Sequence, residues 1–117
     1  MRIAKADPHI PKGWHLGPWN AELPLAIGFA NAGVDEPHLH RRITEVYLMA
    51  RGQAEMRVEQ VTLALGPDDI VVVEPGEAHT FLSSSPDHFH FVLQVPGMQG
   101  EEARQDKVPV PRARLGL

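Results

Sequence analysis

Four side chains in this sequence have the types and spacing to hold a metal ion: His38, His40, Glu45 and His79. Three imidazoles and one carboxylate make a complete set of protein ligands for a borderline divalent metal. His38-Leu39-His40 is an HxH pair, and on an extended segment residues two apart point to the same side. Both rings can therefore reach one ion from one strand. Glu45 lies at an odd offset from that pair, so a turn or bulge around Arg41-Arg42-Ile43 has to restore its direction. Tyr47 and Met49 share the face of Glu45 and would line the same interior. His79 arrives from a separate hairpin, within Pro75-Gly76-Glu77-Ala78-His79. A site supplied by two hairpins is held more rigidly than one carried by a single loop. Any one of these histidines alone reads as a satisfied polar residue; the pattern of four shifts the balance to ligation, the alternative being an empty barrel.

Iron, manganese, nickel, zinc, cobalt and copper all suit such a donor set, with affinity order favouring copper or zinc and availability often deciding. With four protein ligands an octahedral ion keeps two open positions. These fit a chelating substrate, or a substrate together with dioxygen. Protons compete for the imidazoles, so metal binding is expected to weaken below about pH 6.

The elements that must position these residues read as short strands. The chain has 117 residues, with eleven prolines and ten glycines placed mostly between short apolar runs. That pattern favours strands and turns over long helices. Pro24–Ala30 reads as a first strand, Thr44–Ala50 and Gln53–Glu59 as a hairpin closed by Arg51-Gly52. In its second half Ala54, Met56 and Val58 fall on one face and Glu55, Arg57 and Glu59 on the other. Val61–Leu65, the β-branched Ile70–Val73, His79–Leu82 and His88–Val95 complete the set. Seven or eight such strands must close into a barrel or fold into a two-sheet sandwich to hide their edges. Residues 1–22 show no clean period and read as an arm whose Trp14 and Trp19 pack on the domain; a substrate lid or stacking platform is the second reading. Residues 23–97 form the barrel, and 98–117 an extended tail with room for one short helix at Gly100–Lys107.

The composition is that of an ordinary globular domain, 43% hydrophobic and 22% charged. A net charge of -4 and a single adjacent basic pair, Arg41-Arg42, give no support to nucleic-acid or membrane-surface binding. The absence of cysteine excludes disulfides, thiolate zinc sites and thiol nucleophiles. No signal-peptide region and no transmembrane run are read, so the expectation is a cytoplasmic protein.

The spacing resembles the two motifs of the cupin family. The first motif's glycine, HxH, glutamate and closing glycine fall on Gly33, His38, His40, Glu45 and Gly52, with one residue fewer than usual between Gly33 and His38. In the second motif Gly76 and His79 fit. Pro75 lies directly before Gly76, Asp68 stands where the Gly-Asp pair has its glycine, and Ser83 replaces an asparagine. The resemblance implies an all-β, cupin-type β-barrel or jelly roll, with His38, His40, Glu45 and His79 binding one divalent transition metal inside it. It also implies a small-molecule ligand and a homodimer, in which the arm could swap between protomers.

Two readings of function stay open. One is a metalloenzyme acting on a small molecule, dioxygenase-like with a redox-active metal or isomerase-like with an inert one. The other is a non-catalytic module that binds or senses a metal or small molecule. The family spans both, so fold analogy does not choose a reaction. Outside the four ligands, Tyr47 and His90 are the candidates for catalysis, and Arg42, Met49 and Gln94 for substrate binding. Arg41, Arg42 and Arg51 read as solvated strand-end charges or as an anion receptor at the mouth. His88-Phe89-His90 is a second HxH pair. The expected reading puts Phe89, Phe91, Leu93 and Val95 in the core and the histidines toward solvent or a dimer contact. The alternative turns His90 and Gln94 inward to orient a substrate or relay a proton.

Overall fold

The computed structural model describes residues 1–117 as two five-stranded antiparallel sheets. In chain order the strands are β1 (Lys12–Leu16), β2 (Ala26–Ala30), β3 (His38–His40), β4 (Thr44–Arg51), β5 (Ala54–Val58), β6 (Val61–Leu65), β7 (Ile70–Val73), β8 (His79–Ser84), β9 (Phe89–Val95) and β10 (Lys107–Pro109). A helix α1 (Gly100–Asp106) precedes β10, and a single 3-10 turn (Arg112–Leu115) ends the chain. The first sheet has the order β1-β2-β9-β4-β7 and the second β10-β3-β8-β5-β6. The fold is an all-β jelly roll. No helix is long and apolar enough to cross a membrane.

Two of these strands lie in the segments read as arm and tail. β1 pairs with β2 of the same chain and closes one edge of the first sheet. β10 pairs with β3 at an edge of the second. Pro109 is accommodated there because an edge strand does not need every N–H for its ladder.

Alternation along the strands separates inside from outside. On β4 the buried residues are Glu45, Tyr47 and Met49; on β5 they are Ala54 and Met56. Tyr47, Met49, Ala54, Met56, Leu65, Val73 and Phe81 form one apolar cluster drawn from both sheets. It fills one end of the interior. The other end is polar, and Tyr47 and Phe81 form the boundary. Gly52, at φ 79°, turns β4 into β5 in a conformation open to glycine, with Ser85 and His88 packed where a Cβ would sit. Asp68, at the place where the family pattern has glycine, is also left-handed, at φ 74°. Aspartate tolerates that region better than most residues.

The outer face of the first sheet is apolar in two continuous rows. Register places Ile70, Leu48, Phe91 and Phe29 side by side, and Val72, Val46, Leu93 and Ile27 beside them. Ile70 and Val72 are 61% and 54% exposed.

Met56 is wholly buried at the centre of the apolar cluster. Met56→Ala is expected to destabilise the fold by about 2–5 kcal/mol, read as a lower denaturant midpoint at unchanged slope. A loss under about 0.5 kcal/mol would contradict this placement of the core.

Candidate metal centre

The odd offset of Glu45 is resolved by a change of sheet. β3 belongs to the second sheet and β4 to the first, and the chain crosses between them at Arg41–Ile43. An inward residue on one sheet faces an inward residue on the other, so the crossing restores the direction that the spacing inverts. Ile43, 1% exposed, anchors the crossing. His38 and His79 are direct partners across β3 and β8. Glu45 is the direct partner of Gln94 across β4 and β9. All four of His38, His40, Glu45 and His79 are buried.

Three imidazole nitrogens converge on one carboxylate oxygen. From Oε1 of Glu45, Nε2 of His79 lies at 2.9 Å, Nε2 of His40 at 3.2 Å and Nε2 of His38 at 3.8 Å. His38, Glu45 and His79 offer atoms all within 4.8 Å of one another. His40 stands slightly apart, its ring centroid 6.3 Å from that of His79. Each ring is held from behind at Nδ1: His38 by the carbonyl of Glu36 at 2.7 Å, His79 by that of Glu77 at 3.0 Å, and His40 by Oδ2 of Asp106 at 3.0 Å. These partners are acceptors, so each Nδ1 carries the proton and donates. Each Nε2 then presents a lone pair to a carboxylate that also has only lone pairs to offer.

Acceptors crowded on acceptors require a cation or a proton between them. Neighbouring ligands of one zinc-like ion, each about 2.0–2.1 Å from it, stand about 3 Å apart, the spacing that His79 and His40 show around Oε1, with His38 further off at 3.8 Å. The donor set and its spacing therefore fit a divalent metal. Without one, protons take the place. The His40 pKa is raised: burial works against the charge, but contacts with Glu45 and Asp106 outweigh it. Burial pushes the Glu45 carboxyl up, yet its three imidazole contacts hold it well below the usual carboxylate range.

The remaining contacts fix Glu45 in place. Tyr47 donates its hydroxyl to Oε1 at 3.1 Å and Gln94 donates its amide to Oε2 at 3.0 Å. Burial and the charge of Glu45 raise the Tyr47 pKa well above its ordinary value, so its hydroxyl stays protonated.

A cavity of about 970 Å³ opens from this cluster. His90, Val92 and Gln94 of β9 line it together with the buried Met98, and the exposed Trp14, Trp19 and Arg104 stand among the residues at its rim. Trp14 and Trp19 meet edge to face at 6.2 Å, each nearly half exposed. Gly28 makes room for Trp14: a Cβ there would fall 2.9 Å from the indole. An isolated glycine inside a strand is the sequence signal for such a close approach. Lys12 and Lys107 flank Asp35, at 3.7 and 3.9 Å.

Several expected placements change. Arg42 lies outside the cavity, paired with Glu102 at 3.1 Å, because its side chain leaves the crossing toward α1. Met49 sits in the apolar cluster and does not line the cavity, being one turn of the alternation too deep. Arg51 stacks on Phe89 at 5.0 Å, away from the mouth. The second HxH pair turns inward, with His88 and His90 only 2% and 4% exposed, while Phe91 faces out at 37%. Register dictates this, since His90 is the partner of Met49, and Gln94 of Glu45. Asp106 is a site residue that sequence reasoning missed. Its side chain is wholly buried and also accepts the Arg42 backbone N–H at 2.7 Å. A helix polar on all sides gave no signal for it.

No curated protein sequence matches the chain. Solved structures match in fold. A Streptomyces PAC13 variant with uridine superposes with a TM-score of 0.68 at 15% identity, covering 86% of this chain and 78% of that one. PAC13 is described as a nucleoside dehydratase. KdgF from Halomonas sp. gives a TM-score of 0.63 at 21% identity, covering 85% and 87%. The DMSP lyase DddQ from Ruegeria pomeroyi gives 0.56 at 26% identity, covering 66% of this chain and 41% of that one. The family model for the cupin domain matches residues 28–95, more than half of the chain, from within β2 to the end of β9. The chain belongs to the cupin family.

Proposed function

We propose that this cupin is a metal-dependent enzyme acting on a small molecule, with His38, His40, Glu45 and His79 as the protein ligands of one divalent transition metal. The observation that carries the reading is the convergence of three Nε2 atoms on Oε1 of Glu45, each ring held at Nδ1. Backing of this kind fixes tautomer and ring direction and raises ligand basicity. When bound, the metal would supply Lewis-acid or redox chemistry at positions left open to the cavity. The chain's own residues do the rest. Gln94 and Tyr47 keep both oxygens of Glu45 engaged, and the carbonyls of Glu36 and Glu77 with Asp106 keep the rings aimed. Trp14 and Trp19 offer ring faces and edges to an incoming ligand, and the cavity walls limit water around it.

A second reading has one observation in its favour. Tyr47, the hydroxyl nearest the cluster, is tied to Glu45 and held protonated, so it is not free to act as a base. That suits a module that binds without turnover. Metal-dependent consumption of oxygen or of a diketone, catechol or hydroxy-acid substrate separates the two; binding across such a panel with no turnover supports the module.

Elemental analysis is expected to give about one transition metal per chain in the purified or reconstituted protein, lost in the His38→Ala, His79→Ala pair. No metal in the unsubstituted protein after reconstitution would sink the assignment. Since the His40 pKa is raised, protons compete with metal from higher pH than for an ordinary histidine. Zinc affinity is therefore expected to begin falling above the pH at which an ordinary histidine titrates, and to drop by about tenfold per pH unit for each proton displaced once the pH is below the raised His40 value. A flat profile would contradict a histidine-borne site.

The homodimer implied by the family has support in the two apolar rows on the first sheet, which are too continuous for a face left in water. Light scattering is expected to give twice the chain mass, falling to one chain in the Ile70→Lys, Val72→Lys variant. A monomer without substitution would refute this interface.

A further inference from the structure

The inner face of β9 carries a histidine pair that the four-residue cluster does not use. Nε2 of His88 and Nδ1 of His90 lie 2.6 Å apart, and both residues are buried. Nδ1 of His88 is buried without any partner. Nε2 of His90 has no protein partner either, but His90 borders the cavity. Phe81 stacks on the His90 ring at 5.1 Å, with the planes 18° apart, so the ring is held flat.

The two rings can share one hydrogen bond in two ways. Burial and the neighbouring His88 bring His90 down to about 4, and burial lowers His88 too, so both are neutral near pH 7. If His90 donates from Nδ1, His88 must carry its own proton on Nδ1, as an orphaned buried N–H. If His88 donates from Nε2, the orphan is only a bare lone pair. Buried N–H groups without partners are rarer than under-used acceptors. The second arrangement is therefore favoured, and it leaves the proton of His90 on Nε2, facing the cavity.

We propose that His90 is a ligand-binding residue whose neutral Nε2–H holds an oxygen atom of the ligand, and that His88 is a positioning residue that fixes its tautomer. The ligand role rests on the metal-site reading above. The Tyr47 ring lies between the two stations, 5.4 Å from the His90 ring and 6.1 Å from that of His79. A ligand that chelates at the cluster and extends along the edge of Tyr47 meets His90 with its far side. The chemical class is a small planar chelator with a further hydroxyl or carbonyl oxygen across its ring.

Nitrogen-15 ring correlations in the metal-free protein decide the tautomer. Protonated Nε2 and bare Nδ1 on both His88 and His90 are expected; a protonated Nδ1 on either ring overturns the donor. The ligand role is read by calorimetry on zinc-loaded protein with two probes. Kojic acid is a hydroxypyranone chelator with a hydroxymethyl group on its ring, and allomaltol is the same chelator with methyl in its place. Kojic acid is expected to bind about tenfold tighter, the effect of one added buried hydrogen bond. His90→Phe is expected to erase that preference, and His90→Gln, which restores an N–H near the same place, to recover it. In His88→Phe, a mixed His90 tautomer and a reduced preference are expected. Equal affinity for the two probes, or a preference untouched by His90→Phe, overturns the ligand role. Protein that takes up no zinc fails the metal reading alone, and the ring-nitrogen spectrum, recorded without metal, still decides the donor.

Discussion

The structure turns on a repulsion. Oε1 of Glu45 and the Nε2 lone pairs of His38, His40 and His79 are pressed together in a buried pocket, and a positive charge is the one thing that makes the arrangement favourable. Nothing in the local backbone would bring them so close unaided. They are held there by register on two sheets and by an acceptor behind each ring. The stability of the scaffold is thus spent partly on keeping four acceptors together, as expected of a functional site that breaks local consistency.

The interior divides the work. At one end Met49, Ala54, Met56, Leu65 and Val73 pack as an ordinary apolar core. At the other, the same alternation delivers Glu45, Gln94 and the histidines to the cavity. Tyr47 belongs to both, its ring in the core and its hydroxyl on Glu45. The cluster is therefore seated directly on well-packed strands, which is what holds ligand atoms to within tenths of an ångström.

Much of this was legible in the residues. The HxH spacing, the alternation on β5 and the β-branched run of β7 led to the right strands within a residue or two, because each pattern reports one dominant contact environment. Asp68 was noted at a motif glycine position, and its left-handed backbone accords with that, whereas the close approach at Gly28 was not read from the strand that holds it. β9 was read with the wrong side inward because Phe89, Phe91, Leu93 and Val95 make its outer side the more apolar of the two. Phe89 and Phe91 pack outside the first sheet against Phe29, and nothing in β9 alone says so. Asp106 was invisible for a different reason. Its partner is His40, 66 residues earlier, and a polar helix gives no hint which of its acids is buried. β10 was missed because prolines mask an edge strand.

The chain has only two tryptophans, and both stand at the rim of the cavity, on the segment that adds β1 and its following turn to the first sheet. Neither belongs to the apolar cluster. Indole emission from this protein therefore reports the rim and not the core. A melting curve followed by tryptophan fluorescence tracks the release of residues 12–20 from the sheet, while one followed by circular dichroism tracks the ten strands. The two curves need not coincide, and a gap between them would measure how independently the rim moves from the barrel it borders.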